Sequence, residues 1–232
     1  MSVLNLAAIE AALREVQRVF PQINKELFDR RDSLDDEVIE NMMQAYALVD
    51  QLLTDRVDIF AMGQLNHWLK LNAVVLCGAD PQVVQRHHRL LEATATRFYD
   101  EPGAGIGDVM DWYALNRGKS VWRRAAGVFN RILSDPQLFI EGNHRSGALI
   151  MSYVLAREGY PPFVLTKENA RGFFNPSSVI KKAKKRSFIM QYKFQKFTGL
   201  FADYLQNQQN PAFLASTRTK TEKKALAARP SD

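Results

Sequence analysis

The sequence predicts an all-α protein, and three observations carry that expectation. Apolar residues recur at three- and four-residue spacing in one segment after another. Glycine and proline punctuate the chain between many of those segments. The richest loop, Tyr99 to Gly107, lacks the alternating apolar residues of a strand.

Taken in order, Leu4, Leu6, Ile9, Leu13, Val16, Val19 and Phe20 give a first helix. Pro21 is expected to end it, and residues 22–28 read as a further short turn. Ser33 reads as the N-cap of a second helix that carries acids in its first turn and runs to about Thr54. Residues 57–77 read as a third helix. Within it His67 is expected to be a satisfied, partly buried histidine, and Cys77 a core thiol. Asp80 caps a fourth helix, with Pro81 at its first position, that continues to Phe98. His87 and His88 are adjacent in it and point about 100° apart, a poor pair for one metal. Short helices follow from Asp108 and from Ser120, the second ending at Leu133. An apolar helix then runs from Arg145 to Arg157, fit for the centre of a bundle, with Gly159 and Pro161-Pro162 closing it. Asn175 to Ser178 reads as a turn. A basic run, Lys181 to Arg186, precedes an aromatic-rich helix that ends near Leu205.

The chain of 232 residues carries a net charge of +6. From Lys181 onward there are 12 basic and 3 acidic residues, against 19 and 22 before it. Basic plus aromatic residues invite a nucleic-acid reading. Helical spacing of the aromatics favours packing instead, so nucleic acid is not the expected partner. One cysteine excludes an internal disulfide framework. There is no run of 18 apolar residues and no secretory signal, so no membrane span is expected and the location is expected to be cytoplasmic.

The stretch Asp135 to Gly147 has no periodicity of its own. Glu141, Gly142, Asn143, His144 and Arg145 follow one another directly before an apolar helix. A loop that feeds a helix N-terminus offers unpaired N–H groups to an anion, commonly phosphate. Gly142 permits close backbone approach, and Arg145 offers a fork to phosphate oxygens. Glu141 suits a phosphate only across a divalent cation such as Mg2+. The plainer alternative makes Asn143 an N-cap, Gly142 a turn residue, and Glu141 and Arg145 a surface pair.

The segment Phe139-Ile140-Glu141-Gly142-Asn143-His144-Arg145 resembles the Fic (Fido) signature, H-x-F-x-(D/E)-G-N-(G/K)-R-x-x-R. The likeness covers roughly residues 33–165. It implies a Fic-like helical bundle, with a short β-hairpin flap near residues 99–107. It also implies Mg2+ with ATP or another nucleotide as cofactor, and transfer of AMP to a hydroxyl of a protein target. Three positions depart from the signature. Gln137 stands where the family has its catalytic base, His144 replaces a glycine, and Ala148 replaces the last arginine. Gln137 cannot take up a proton near neutral pH. Loss of a positioned base removes about 10²- to 10⁴-fold in rate. His144 is then either a displaced base, a phosphate contact, or a residue that merely caps the loop. Asp36 to Asn41 resembles the family's inhibitory helix, with Glu40 and Asn41 matching. The resemblance makes that glutamate a regulator, although Ala148 removes its arginine partner. The other reading places Glu40 on a solvated face.

Three readings follow. The first is a phosphate- or nucleotide-binding protein with altered or lost AMP transfer. The second is an active transferase that uses His144. The third is a non-catalytic interaction module. A homo-oligomer is left open. Residues 1–32 read as an N-terminal helical segment and 33–205 as a Fic-like domain with a C-terminal extension from about 166. Residues 206–232 read as a disordered tail.

Overall fold

A computed structural model describes residues 2–100, 102, 105–185 and 188–215, with the backbone alone at 188–193. Among these residues the chain forms ten α-helices and no strand, an all-α fold. α1 (Leu6–Lys25) is capped by Asn5, whose side chain accepts from the Ala8 amide. Pro21 lies inside α1 rather than at its end, so residues 22–25 continue the helix. Burial of Phe20 and Ile23 on either side offsets the missing bond at proline, which costs about 3 kcal/mol.

α2 (Asp36–Thr54) starts two residues later than Ser33 would place it. Asp35 is the cap, and its carboxylate accepts from the Val38 amide at 2.9 Å. A charged acceptor is the stronger partner at the positive end of a helix. α3 (Asn66–Cys77) is shorter than the helix expected over residues 57–77. Residues 57–65 turn back instead. Trp68 Nε1 donates to the Ile59 carbonyl at 2.8 Å, and Phe60 stacks on Tyr113 at 3.9 Å. The apolar side chains there are buried by a fold-back, which periodicity cannot distinguish from a helix.

The expected fourth helix is two, α4 (Pro81–Arg86) and α5 (His88–Asp100). At the break, the His87 amide reaches both Val83 and Val84, and its Nδ1 pairs with the Val83 carbonyl at 2.9 Å. Such ring-to-backbone bonding competes with the helical ladder. α6 (Ile106–Leu115) follows, with residues 101, 103 and 104 of the expected flap outside the described residues. α7 (Val121–Leu133) is capped by Ser120 as the sequence suggests. α8 (Asn143–Arg157) begins two residues before Arg145.

α9 (Ala170–Lys181) runs straight through Asn175-Pro176-Ser177-Ser178, where a turn is expected. The hydroxyls of Ser177 and Ser178 donate to the Phe173 and Phe174 carbonyls, and Phe173, Phe174 and Ile180 are buried. α10 (Phe188–Asn207) carries the aromatic segment. The residues just after it are ordered, not a free tail. Phe213 is buried, its carbonyl accepts from the Asn5 amide, and the Ala215 amide donates to Val3. The remainder of the expected tail, 216–232, lies outside the described residues.

α8 is the axis of the bundle. Every residue from Ser146 to Ala156 is buried, and the helix packs on α7, α3 and α2. α7 in turn carries α10, α6 and α9, while α1 lies on α2. Small residues set these approaches. A Cβ on Gly127 of α7 would sit 1.8 Å from the Trp112 ring of α6, and one on Gly147 of α8 would sit 3.0 Å from the Phe129 ring. Among the described residues no helix is long and apolar enough to cross a membrane.

Gly127→Ala tests this packing. Alanine is worth about 1 kcal/mol more than glycine inside a helix. The Trp112 ring is rigid and has to move, which costs about 1–3 kcal/mol. The expected outcome is a net loss of stability in urea unfolding, together with a change in tryptophan emission.

Candidate active site

Residues 138–142 carry no regular structure, and their shape is fixed by neighbours. The Leu138 amide donates to the Ile132 carbonyl at 3.1 Å, which folds the loop back on the end of α7. Phe139 is fully buried and stacks on Phe98 of α5 at 5.8 Å. Asn143 then bonds both ways to the Phe139 peptide. Its Oδ1 accepts from the amide at 2.9 Å, and its Nδ2 donates to the carbonyl at 2.8 Å. That side chain is buried, so the pair closes the loop away from water. Asn143 is thus the first residue of α8 and a loop clamp rather than the cap.

Gly142 is the N-cap, in the left-handed region at φ 74°. A side chain there would be strained, and its Cβ would meet Asn72 Nδ2 at 3.0 Å and Leu76 Cδ2 at 3.2 Å. Asn72 of α3 is a site residue that sequence reading missed. Its Nδ2 donates to the Glu141 carbonyl at 2.9 Å and lies 3.0 Å from Ser146 Oγ. An asparagine inside the apolar run of α3 was the available signal. No side chain caps α8, so its first-turn amides remain for an external acceptor.

Arg145 donates to the Val75 carbonyl at 3.1 Å. Burial lowers its pKa, while Asp32, Asp35 and Glu141 act to raise it. Glu141 is exposed. Among the described residues no three His, Cys, Asp or Glu side chains gather as a metal site. Glu141 therefore fits Mg2+ only as one carboxylate on an ion whose other ligands are phosphate oxygens and water.

His144 points into a different environment. It borders an apolar hollow of about 70 Å³ between α8, α1, α2 and α9, beside Val38, Met42, Phe163 and Phe173. Its Nε2 is buried without a hydrogen-bond partner. Burial, reinforced by Arg31 and Lys181, pushes its pKa down to about 3. A base that weak takes a proton poorly near neutral pH. Ala148, in place of the signature's final arginine, borders the same hollow.

The Gln137 Nε2 donates to the Leu133 carbonyl at 3.2 Å, and the main-chain carbonyl of Gln137 accepts from Arg97 Nε at 2.9 Å. Glu40 is exposed and makes no ion pair among the described residues. Asn41 of α2 is buried beside the C-terminal end of α3, where a Cβ on Gly78 would lie 2.5 Å from its Oδ1.

Two outcomes follow. Asn143→Asp keeps the shape but replaces the donor to Phe139 with a buried acceptor. It should destabilise the chain by about 2–3 kcal/mol, read by chemical denaturation. His144 binds protons more tightly when unfolded, near 6.5, than when folded, near 3. Its contribution is therefore complete above about pH 6.5 and is lost as pH falls toward 3. Between pH 7 and pH 5 the loss is about 2 kcal/mol. His144→Leu should flatten that part of the stability profile.

Comparison with protein-family models, with characterised proteins and with solved structures gave no match to this chain.

Proposed function

We propose that this chain is a Fic-like helical protein that holds a phosphate group, carried by a nucleotide with Mg2+, at the head of α8, and that its AMP-transfer activity is lost. The observation that carries this reading is the left-handed Gly142 turn beside Arg145. It leaves the first amides of a 15-residue helix uncapped while Asn143 and Asn72 hold the loop behind them. The helix dipole and a guanidinium then favour an anion at the same corner. The hollow behind His144 is apolar and far below the roughly 300 Å³ of a small-molecule pocket, so the ligand approaches from the exposed Glu141 side.

Loss of transfer is supported by what occupies the catalytic positions. Gln137 is an amide tied to the main chain. His144, the alternative base, is buried among apolar side chains. A protein that binds a nucleotide without turning it over acts through binding itself, on a protein partner or on a second copy of the chain.

Thermal shift with ATP and Mg2+, paired with transfer of radiolabel from ATP to protein, tests both parts. Unmodified protein should gain thermal stability and transfer no label. Arg145→Gln should reduce the shift. Gln137→His should restore measurable transfer, within the roughly 10²- to 10⁴-fold a positioned base supplies. Absence of any shift with ATP, GTP, CTP or UTP would remove the phosphate corner.

A further inference from the structure

A second and larger hollow lies on the other side of α7, bounded by α6, α7 and α10. Its volume is about 420 Å³, within the roughly 300–1,000 Å³ range of small-molecule sites. Its floor is laid by spacing on α7. Arg123, Gly127 and Arg131 stand at i, i+4 and i+8, one face of the helix. Gly127 keeps that face low at its middle, where Trp112 lies against it. Lys119 reaches the hollow from the α6–α7 connection, and Lys185 from the segment before α10.

Four cationic side chains from three separate stretches thus border one concavity, with Asp108 as the acid among its lining residues. Asp108 is already committed, since Arg131 Nη1 donates to both of its oxygens at 2.9 and 2.8 Å. Arg131 is also held over the Trp112 ring at 5.5 Å. That leaves Lys119 and Arg123, neither in an ion pair among the described residues. Lys185 borders the hollow as well, with its amide anchored on the Asp135 carbonyl at 2.9 Å. The Asn130 Nδ2 bond to Thr198 Oγ1 at 3.1 Å ties α7 to α10 beside the hollow. Burial lowers the pKa of Lys185 to about 8, with Asp108 opposing and Arg131 and Arg97 reinforcing the shift.

We propose that the cleft between α6, α7 and α10 is a binding site for a small, multiply charged phosphorylated ligand, gripped by Lys119 and Arg123, with Lys185 bordering it. The site is independent of the corner at α8, and neither depends on the other. Arg123 offers two parallel donors to phosphate oxygens, while the lysines act as point charges on the remainder. The concavity, the committed arginine and the glycine floor distinguish this group from a solvated run of surface charge. Its size suits a ligand no larger than a mononucleotide.

Calorimetric titration of the whole chain with inorganic pyrophosphate, and separately with ATP, tests the assignment. Both should bind at low salt and weaken as salt rises. Lys119→Ala with Arg123→Ala should weaken pyrophosphate by roughly tenfold or more, because charge-assisted contacts are lost. Arg145→Gln should remove at most a pyrophosphate held at the α8 corner and leave a second site that only the Lys119/Arg123 pair weakens. Asp108→Asn should tighten it by removing the opposing charge. If that variant fails to fold by circular dichroism, the Lys119/Arg123 pair decides, since both side chains are exposed. Three results would overturn the site. They are no binding of pyrophosphate or ATP at millimolar concentration, binding lost with Arg145→Gln but not with the Lys119/Arg123 pair, and an oligonucleotide that binds at least as tightly per molecule as either probe.

Discussion

The two hydrogen bonds between the Asn143 side chain and the Phe139 peptide are the constraint from which the rest follows. The peptide group of Phe139 is buried in a loop that has no ladder to join. Left unpaired, its donor and acceptor would each cost about 1–3 kcal/mol. Asn143 satisfies both with one amide and, as the first residue of α8, fixes where that helix begins. Phe139 is thereby held against Phe98, and Gly142 is forced into the left-handed turn.

Burial of α8 makes this loop a structural junction as well as a chemical one. A helix enclosed from Ser146 to Ala156 cannot slide, because its neighbours approach through Gly147 and through Asn72 on Ser146. The same rigidity decides which side chains are accessible. His144 and Ala148 turn inward toward α1, α2 and α9, and Glu141 turns outward to solvent. An imidazole in such a place stays neutral because burial strips hydration from its charged form, with Arg31 and Lys181 reinforcing the effect. Arg145 borders the hollow beside His144 too and donates to the Val75 carbonyl of α3, so the head of α8 is tied to α3 by a guanidinium.

α7 serves two faces. On its apolar side it carries Ala125, Ala126, Val128, Phe129 and Ile132, all buried, with Phe129 and Ile132 against Gly147 of α8. Toward α6 and α10 it carries arginines on either side of a glycine. One helix therefore supports the apolar core and forms the floor of a polar cleft, with Trp112 at the junction between α6 and Gly127.

The all-α class, the limits of α7 and the arrival of α8 after the Asp135–Gly142 loop were legible in the sequence. They depend on local facts: apolar period, the Ser120 cap, and glycine and proline after Arg157. Residues 137–148 could be picked out only as a candidate site, because their residue types resemble the spacing of a known signature. Elements whose limits depend on distant contacts were not legible. Pro21 and Pro176 sit inside helices because Phe20, Ile23, Phe173 and Phe174 find a core to enter. Residues 57–65 leave the helix because Trp68 and Tyr113 receive them. Residues 211–215 are ordered because the N-terminal segment pairs with them. The orientation of His144, the part played by Asn72 and the gathering of Lys119, Arg123 and Lys185 belong to the same class. Sequence sets which residues are apolar and where a helix starts. Only the packed fold decides which side chains lose water and which charges meet, because both depend on residues far apart along the chain.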